Sequence, residues 1–126
     1  MLFWIFAGMV VFYTAAMSPS LFLIGRLGVM GYMGARDEEP TKARIHARAT
    51  RAVDNFRENF PTFLALAILA FVIPVTDMSM ATTGAAIFVI SRAVFHIVYM
   101  MGIPVLRSVV WTIGAIGQLM MAFALV

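Results

Sequence analysis

The sequence predicts an all-α integral membrane protein, a bundle of four helices that uses the whole chain, 1–126, as one domain. The chain is 63% hydrophobic and 12% charged, with a mean hydropathy of +0.96, which is too apolar for an ordinary soluble domain of this size. Charged residues are also absent from five long runs, at 1–25, 59–76, 78–91, 93–106 and 108–126. A helix needs about 20 apolar residues to cross a bilayer. Backbone N–H and C=O groups in lipid must hydrogen-bond to each other, so each span is expected to be helical.

Four membrane spans fit these runs, at roughly 1–25, 57–75, 79–101 and 105–126. The helices that contain them are predicted at about 1–33, 42–74, 79–102 and 104–126. Thr41 is the predicted N-cap of the second helix, and Pro74 ends it. The sequence Gly102-Ile103-Pro104 predicts a tight turn between the third and fourth helices.

The basic residues indicate how the bundle is oriented. All of them lie on or toward one side of the four-span arrangement; they are Arg26, Arg36, Lys42, Arg44, Arg48, Arg51, Arg57, Arg92 and Arg107. The connection between the second and third helices contains Asp77 and neither Lys nor Arg. The positive-inside rule therefore predicts cytoplasmic 1–2 and 3–4 loops and both termini on the non-cytoplasmic side. No aromatic-interleaved basic module accompanies the net charge of +3, so nucleic-acid binding is not expected.

Polar side chains form a stripe on the second helix where it approaches the apolar run. Steps of four and three residues place six of them on one face: Arg44, Arg48, Arg51, Asn55, Glu58 and Thr62. On the third helix, Arg92, His96 and Tyr99 follow the same spacing, and Arg107 and Ser108 open the fourth. Ionisable groups at membrane depth are costly and indicate a functional site.

A second interpretation of these stripes is a polar cytoplasmic cap. In that case the arginines extend toward water and Glu58 pairs with one of them. We favour this interpretation for Arg36, Lys42 and Arg57. For the inner groups we favour a binding site, because two polar stripes at membrane level need a ligand or a mutual network; these groups are Arg51, Asn55, Glu58, Arg92 and Tyr99.

The residue types indicate the class of ligand. Several guanidiniums near a carboxylate and an amide suit a small zwitterion with carboxylates, since Arg binds carboxylate bidentately and Glu58 can accept an ammonium. A metal is not expected, because the chain has no Cys and two separated His residues. No Ser-His-Asp nucleophile set can be assembled. Without a protein thiol, any thiol chemistry must come from the substrate.

Two motifs resemble the signatures of MAPEG, the membrane-associated proteins in eicosanoid and glutathione metabolism. Segment 51–61 resembles the R-x3-N-x2-E-x-F-P signature of the second helix in that family. Segment 92–108, with the pattern R-x6-Y-x2-G-x-P-x2-R-S, resembles its signature for helices three and four. The resemblance covers essentially the whole chain. It implies a homotrimer of four-helix bundles, with glutathione held near the cytoplasmic face between neighbouring subunits.

The resemblance also implies roles for individual residues. The residues expected to contact glutathione are Arg26, Arg51, Asn55, Glu58, Arg92 and Tyr99. Arg107, with Arg92 as the alternative, is expected to activate the thiol, and Tyr99 is an additional donor. A free thiol has a pKa of about 8.5, and a nearby guanidinium favours the thiolate by about 1–3 pKa units. His96 lies near this face as either a proton shuttle or a structural hydrogen-bonding group.

The expected activity is that of a membrane-bound glutathione transferase or peroxidase. Its second substrate would be an apolar electrophile or a lipid peroxide arriving from the bilayer. Asn59 stands where leukotriene-forming members carry Tyr, which argues against eicosanoid specificity. The alternative is a non-catalytic lipid- or glutathione-binding protein. A small multidrug transporter ranks third, because the first helix has no acid and Glu58 lies toward the cytoplasmic end.

Overall fold

The computed structural model describes residues 1–34 and 44–126, which form four helices and contain no strand. The helices are α1 (Leu2–Met33), α2 (Arg44–Val72), α3 (Met78–Met101) and α4 (Pro104–Phe123). The all-helical fold with four helices is therefore confirmed. The Thr41 cap and the loop residues Arg36 and Lys42 lie outside the described residues.

Three of these helices, α1, α3 and α4, are long and apolar enough to cross a membrane. The helix α2 is not among them, because its first half carries the polar stripe and its apolar part runs only over residues 60–72. It nevertheless buries a continuous face, from Ala49 to Ala70, inside the bundle. The fourth span, over 57–75, stays a prediction.

The helix ends follow from local sequence chemistry. The carboxylate of Asp77 caps α3 by accepting hydrogen bonds from the backbone N–H groups of Ser79 and Met80, both at 3.0 Å. At the other end, Gly102 adopts the left-handed conformation (φ 78°, ψ 35°), and its N–H bonds to the carbonyls of Val98 and Tyr99. Pro104 then begins α4 at a position where no backbone N–H is needed. This turn is the one that the sequence predicts.

The core of the bundle is aromatic and joins α1, α2 and α3. Phe12 of α1 stacks on Phe60 of α2 with ring centroids 4.9 Å apart. Phe63 of α2 stacks on Phe88 of α3 at 4.7 Å, and Phe56 packs edge-on against Phe12 at 5.3 Å. Rings in these arrangements add to the free energy gained by burying their area. The core thus holds α2 against both neighbours.

The helices α3 and α4 approach each other through glycine. A Cβ atom at Gly84 would lie 2.5 Å from the carbonyl oxygen of Gly117, and one at Gly117 would lie 2.7 Å from the carbonyl oxygen of Gly84. Small residues at such a contact let two helices pack closely, which is typical of helix pairs in membranes. The contact aligns α4 along α3 and so brings the first turns of α4 beside the last turns of α3.

Both chain termini lie at the same end of the bundle as the connection between α2 and α3. Met1 packs against a cluster of Ala70, Ala81 and Ala124, and the backbone N–H of Asp77 bonds to the carbonyl of Ala124 at 2.9 Å. At the opposite end, the Arg48 guanidinium donates to the Met100 carbonyl at 3.3 Å. The basic start of α2 therefore lies beside the α3–α4 turn. The side of the membrane that this end faces stays a prediction.

Candidate functional site

A cavity of about 490 Å³ opens between α2, α3 and α4, near the end where α2 begins. The residues that line it are Arg51, Asp54, Asn55, Glu58, Phe95, Tyr99, Arg107, Ser108, Trp111 and Thr112. Five of the residues that the sequence predicts for the site are among them: Arg51, Asn55, Glu58, Tyr99 and Arg107. The fold thus brings residues from three helices, up to 56 positions apart between Arg51 and Arg107, into one cavity.

The wall formed by α2 carries charges that other described residues do not neutralise. Arg51 and Glu58 are exposed, and neither makes a hydrogen bond or salt bridge within residues 1–34 and 44–126. Asp54 differs, because it pairs with Arg57 at 3.3 Å. The interpretation in which an arginine neutralises Glu58 therefore has no support from the described part of the chain. Both charges are available to a ligand.

The opposite wall is organised by a cation–π contact. The Cζ atom of Arg107 lies 4.7 Å from the centroid of the Tyr99 ring. The Arg107 guanidinium makes no hydrogen bond within the described residues, so its N–H groups are free to donate to a ligand. Arg107 is half-buried there. The contact holds the Arg107 cation at the cavity wall, with N–H donors left for a ligand.

A smaller cavity of about 190 Å³ adjoins the first and shares Arg51, Tyr99 and Arg107 with it. Its other lining residues are Arg48, Gly102, Ile103 and Pro104. Among the described residues, three guanidiniums and no carboxylate therefore surround this space. The guanidiniums of this space therefore lie toward the α3–α4 turn, whereas the carboxylates of Asp54 and Glu58 lie in the wall formed by α2.

Arg92 lies behind the cavity and does not line it. Its side chain is 1% exposed, and its guanidinium packs against the rings of Phe88 and Phe95, at 5.2 and 5.3 Å. It donates to the side-chain oxygen of Asn55 at 2.9 Å and to the carbonyl of Trp111 at 3.3 Å. Its contact with the cavity is therefore made through residues that do line it.

His96 and Arg26 also lie away from the cavity. His96 faces α1, where its Nε2 is 2.9 Å from the hydroxyl of Ser18. Ser18 already donates its hydroxyl hydrogen to the Ala15 carbonyl at 2.8 Å, so His96 must be the donor. This contact corresponds to the structural alternative for His96. Arg26 is exposed on α1, which packs against α2 and α3 but not against α4 in the described residues.

The model of the MAPEG family matches residues 1–126, the full length of the chain. The chain belongs to the MAPEG family. This confirms the resemblance drawn from the two motifs and, together with three apolar helices, identifies an integral membrane protein. At the level of the family, membership supports a membrane function in glutathione and eicosanoid metabolism. No curated protein and no solved structure matches the chain.

Sequence reasoning missed four residues that line the cavity of this MAPEG protein, namely Asp54, Phe95, Trp111 and Thr112. Helical spacing could have found three of them. Trp111 and Thr112 lie four residues after Arg107 and Ser108, and Asp54 lies four residues before Glu58. Phe95 carries no such polar signal, and only its position four residues before Tyr99 connects it with the site. Among the described residues, no group of His, Asp and Glu could hold a metal ion.

The two alternatives for His96 predict different outcomes for His96→Leu. A structural hydrogen bond is worth about 0.5–1.5 kcal/mol, so we expect a small loss in the free energy of unfolding and no change in the rate of the reaction proposed below. A proton shuttle would instead lower the rate by about 100-fold or more. Denaturant unfolding in detergent and steady-state kinetics measure the two quantities. A large drop in kcat with unchanged stability would contradict the structural role.

Proposed function

We propose that this protein binds glutathione in the cavity between α2, α3 and α4 and activates its thiol. The activated thiol attacks an apolar electrophile or a lipid peroxide, so the protein is a membrane-bound glutathione transferase or peroxidase. One observation carries the proposal. Arg51, Asn55, Glu58, Tyr99 and Arg107, which the family signatures select, line a single cavity of about 490 Å³.

The charges around the cavity complement those of glutathione. The tripeptide has two carboxylates, one ammonium and one thiol. Arg51 and the adjoining arginine-lined region suit the carboxylates, since guanidinium binds carboxylate bidentately. Glu58, which has no partner among the described residues, suits the ammonium. A ligand with both signs of charge neutralises both ends of the site.

The thiol is activated by the cation that the Tyr99 ring holds. At neutral pH a few per cent of a free thiol is ionised, because its pKa is about 8.5. The Arg107 guanidinium favours the thiolate by charge and hydrogen bonding. In the transferase reaction the sulfur forms a bond to an electrophilic carbon, and the leaving group departs with its electron pair. In the peroxidase reaction the sulfur attacks a peroxide oxygen to form a sulfenic acid, and the released alkoxide takes a proton. A second glutathione thiol then attacks the sulfenic sulfur, which releases water and gives the disulfide.

The site is completed by a neighbouring subunit in this proposal. Several lining residues, Glu58, Ser108 and Trp111 among them, are exposed on the outside of a single bundle. Arg26 lies on α1 and does not line the cavity of its own bundle. In the proposed homotrimer it reaches the cavity of the adjacent bundle instead. The site then lies at the cytoplasmic end, beside the start of α2 and the α3–α4 turn, with both termini on the other side.

The electrophile enters from the lipid. On the outer face of α4, Trp111 is exposed and also lines the cavity. An apolar acceptor dissolved in the bilayer can reach the thiol along this face without crossing water. The same apolar surface would serve a protein that binds glutathione or lipid without catalysis, which is the second candidate function. Turnover of a chromogenic electrophile by purified protein distinguishes the two, because a binding protein holds glutathione without a rate above background.

Arg51→Ala and Glu58→Gln are expected to weaken glutathione binding by roughly 10- to 100-fold each. The estimate follows from the loss of one charge-assisted hydrogen bond, worth about 1.5–3 kcal/mol. Equilibrium binding of glutathione to protein in lipid nanodiscs measures the effect.

Arg44→Ala is the matched control, since Arg44 is an exposed arginine of the same helix that does not line the cavity. It should bind like the wild type. Wild-type affinity in both Arg51→Ala and Glu58→Gln would overturn the assignment of the site. Proton-coupled dye efflux that Glu58→Gln abolishes would favour the transporter instead.

A further inference from the structure

The hydrogen bond between Arg92 and Asn55 sets the orientation of the Asn55 amide. A guanidinium has donors and no acceptor, so the atom of Asn55 that faces Arg92 at 2.9 Å must be the carbonyl oxygen. The NH₂ group of the same amide is then the part left for the cavity, which Asn55 lines. In the described residues this NH₂ group makes no hydrogen bond. Asn55 therefore offers a ligand two N–H donors, whereas its side-chain acceptor, the carbonyl oxygen, is shared with Arg92.

We infer that Arg92 is a positioning residue that acts on glutathione through Asn55. By holding the amide oxygen, it turns the NH₂ group of Asn55 toward an acceptor oxygen of the ligand. The inference rests on the proposed function and refines it. Of the two roles that Arg92 could have, direct contact and indirect positioning, the geometry favours the second. Asn55 would then bind a carboxylate or peptide carbonyl of glutathione, and the ammonium is left to Glu58.

The surroundings of Arg92 show that the fold is built to hold this side chain in place. Phe88 and Phe95 cover it on the α3 side, and its second donor group ties it to the Trp111 carbonyl on α4. Gly114 provides the necessary space, since a Cβ atom there would lie 2.6 Å from Nη2 of Arg92. A buried cation with directed partners on two other helices restricts the Asn55 rotamer more tightly than a solvated one would.

A double-mutant cycle on glutathione affinity tests the inference. Arg92→Gln leaves the Asn55 amide free to rotate, and Asn55→Ala removes it; each is expected to weaken binding by about 10-fold. If Arg92 acts through Asn55, the double variant binds no more weakly than the weaker of the two single variants. Arg44→Gln controls for the loss of one positive charge and should bind like the wild type. Effects that multiply in the double variant would overturn the inference and indicate direct contact or general packing.

Asn55→Asp keeps the test decisive if Arg92→Gln does not fold. The aspartate keeps an oxygen acceptor for Arg92 but presents no donor to the cavity. We expect wild-type thermal stability and glutathione binding weakened by about 10-fold or more. Wild-type affinity in Asn55→Asp would overturn the inference while leaving the proposed function intact. Absence of glutathione binding by the wild-type protein would overturn the proposed function itself.

Discussion

Arg107→Ala is expected to lower the turnover of glutathione with an apolar electrophile by about 8- to 30-fold at neutral pH, the ratio of the thiolate fractions with and without the guanidinium. In the proposed reaction the guanidinium favours the thiolate by about 1–3 pKa units. Without it, the pKa of the bound thiol rises toward the ordinary value of about 8.5. Because the neutral thiol is a poor nucleophile, the rate should fall at pH 7 and recover as the pH rises through the thiol pKa. The measurements are kcat as a function of pH and the ultraviolet thiolate absorbance of bound glutathione.

Two further variants separate charge from contact at this position. Arg107→Lys keeps the positive charge but loses the planar stacking on the Tyr99 ring, 4.7 Å away; its rate should lie between those of the wild type and Arg107→Ala. Tyr99→Phe keeps the ring beneath the guanidinium and removes the hydroxyl, so its effect should be smaller than that of Arg107→Ala. Thiolate absorbance in Arg107→Ala equal to that of the wild type would contradict the assignment, whatever the kinetics.

The stripe on α2 shows how far the sequence could predict the site. Arg51, Asn55 and Glu58 are spaced by four and three residues, and a helix with one buried face must then present all three together. The structure places all three in one cavity. Helical spacing selected Tyr99 and the family signature gave Arg107 its role, but no local pattern links either residue to α2. A contact between distant helices depends on how they pack, and a single sequence does not contain that information.

The stripe on α3 shows where periodicity alone was insufficient. At 100° per residue, His96 lies about 40° from Arg92 and about 60° from Tyr99 around the helix axis. On a helix with one neighbour, these angles keep three side chains on one face. The helix α3 packs against α1, α2 and α4, so the same angles direct the side chains to different helices. Arg92 bonds to α2 and α4, His96 bonds to α1, and Tyr99 lines the cavity.

Gly84→Ala is expected to lower the free energy of unfolding by about 1–3 kcal/mol. The new Cβ would lie 2.5 Å from the carbonyl oxygen of Gly117 and 3.0 Å from the side chain of Met121. Because the first of these atoms belongs to the backbone, α3 and α4 must move apart. Helix propensity favours alanine over glycine by about 1 kcal/mol, which offsets only part of this cost. Unfolding of the protein in mixed detergent micelles measures the difference.

Gly25→Ala is the matched control for this substitution. A Cβ at Gly25 would meet no atom of the described residues within 4 Å, so this control has the gain in helix propensity without the steric cost. It should leave the stability unchanged or raise it by up to about 1 kcal/mol. Equal stability changes in Gly84→Ala and Gly25→Ala would show that the close approach of α3 and α4 contributes nothing.

The pairing of the two glycines gives the prediction a further test. A Cβ at Gly117 would lie 2.7 Å from the carbonyl oxygen of Gly84 and 2.9 Å from the backbone nitrogen of Phe88. Each substitution alone therefore forces the same separation of α3 from α4. Once the helices have moved apart for one alanine, the second meets less resistance, so the double variant should lose less stability than the two losses added together. Strict additivity would mean that each alanine is accommodated locally, without movement of the helix pair that carries Tyr99 and Arg107.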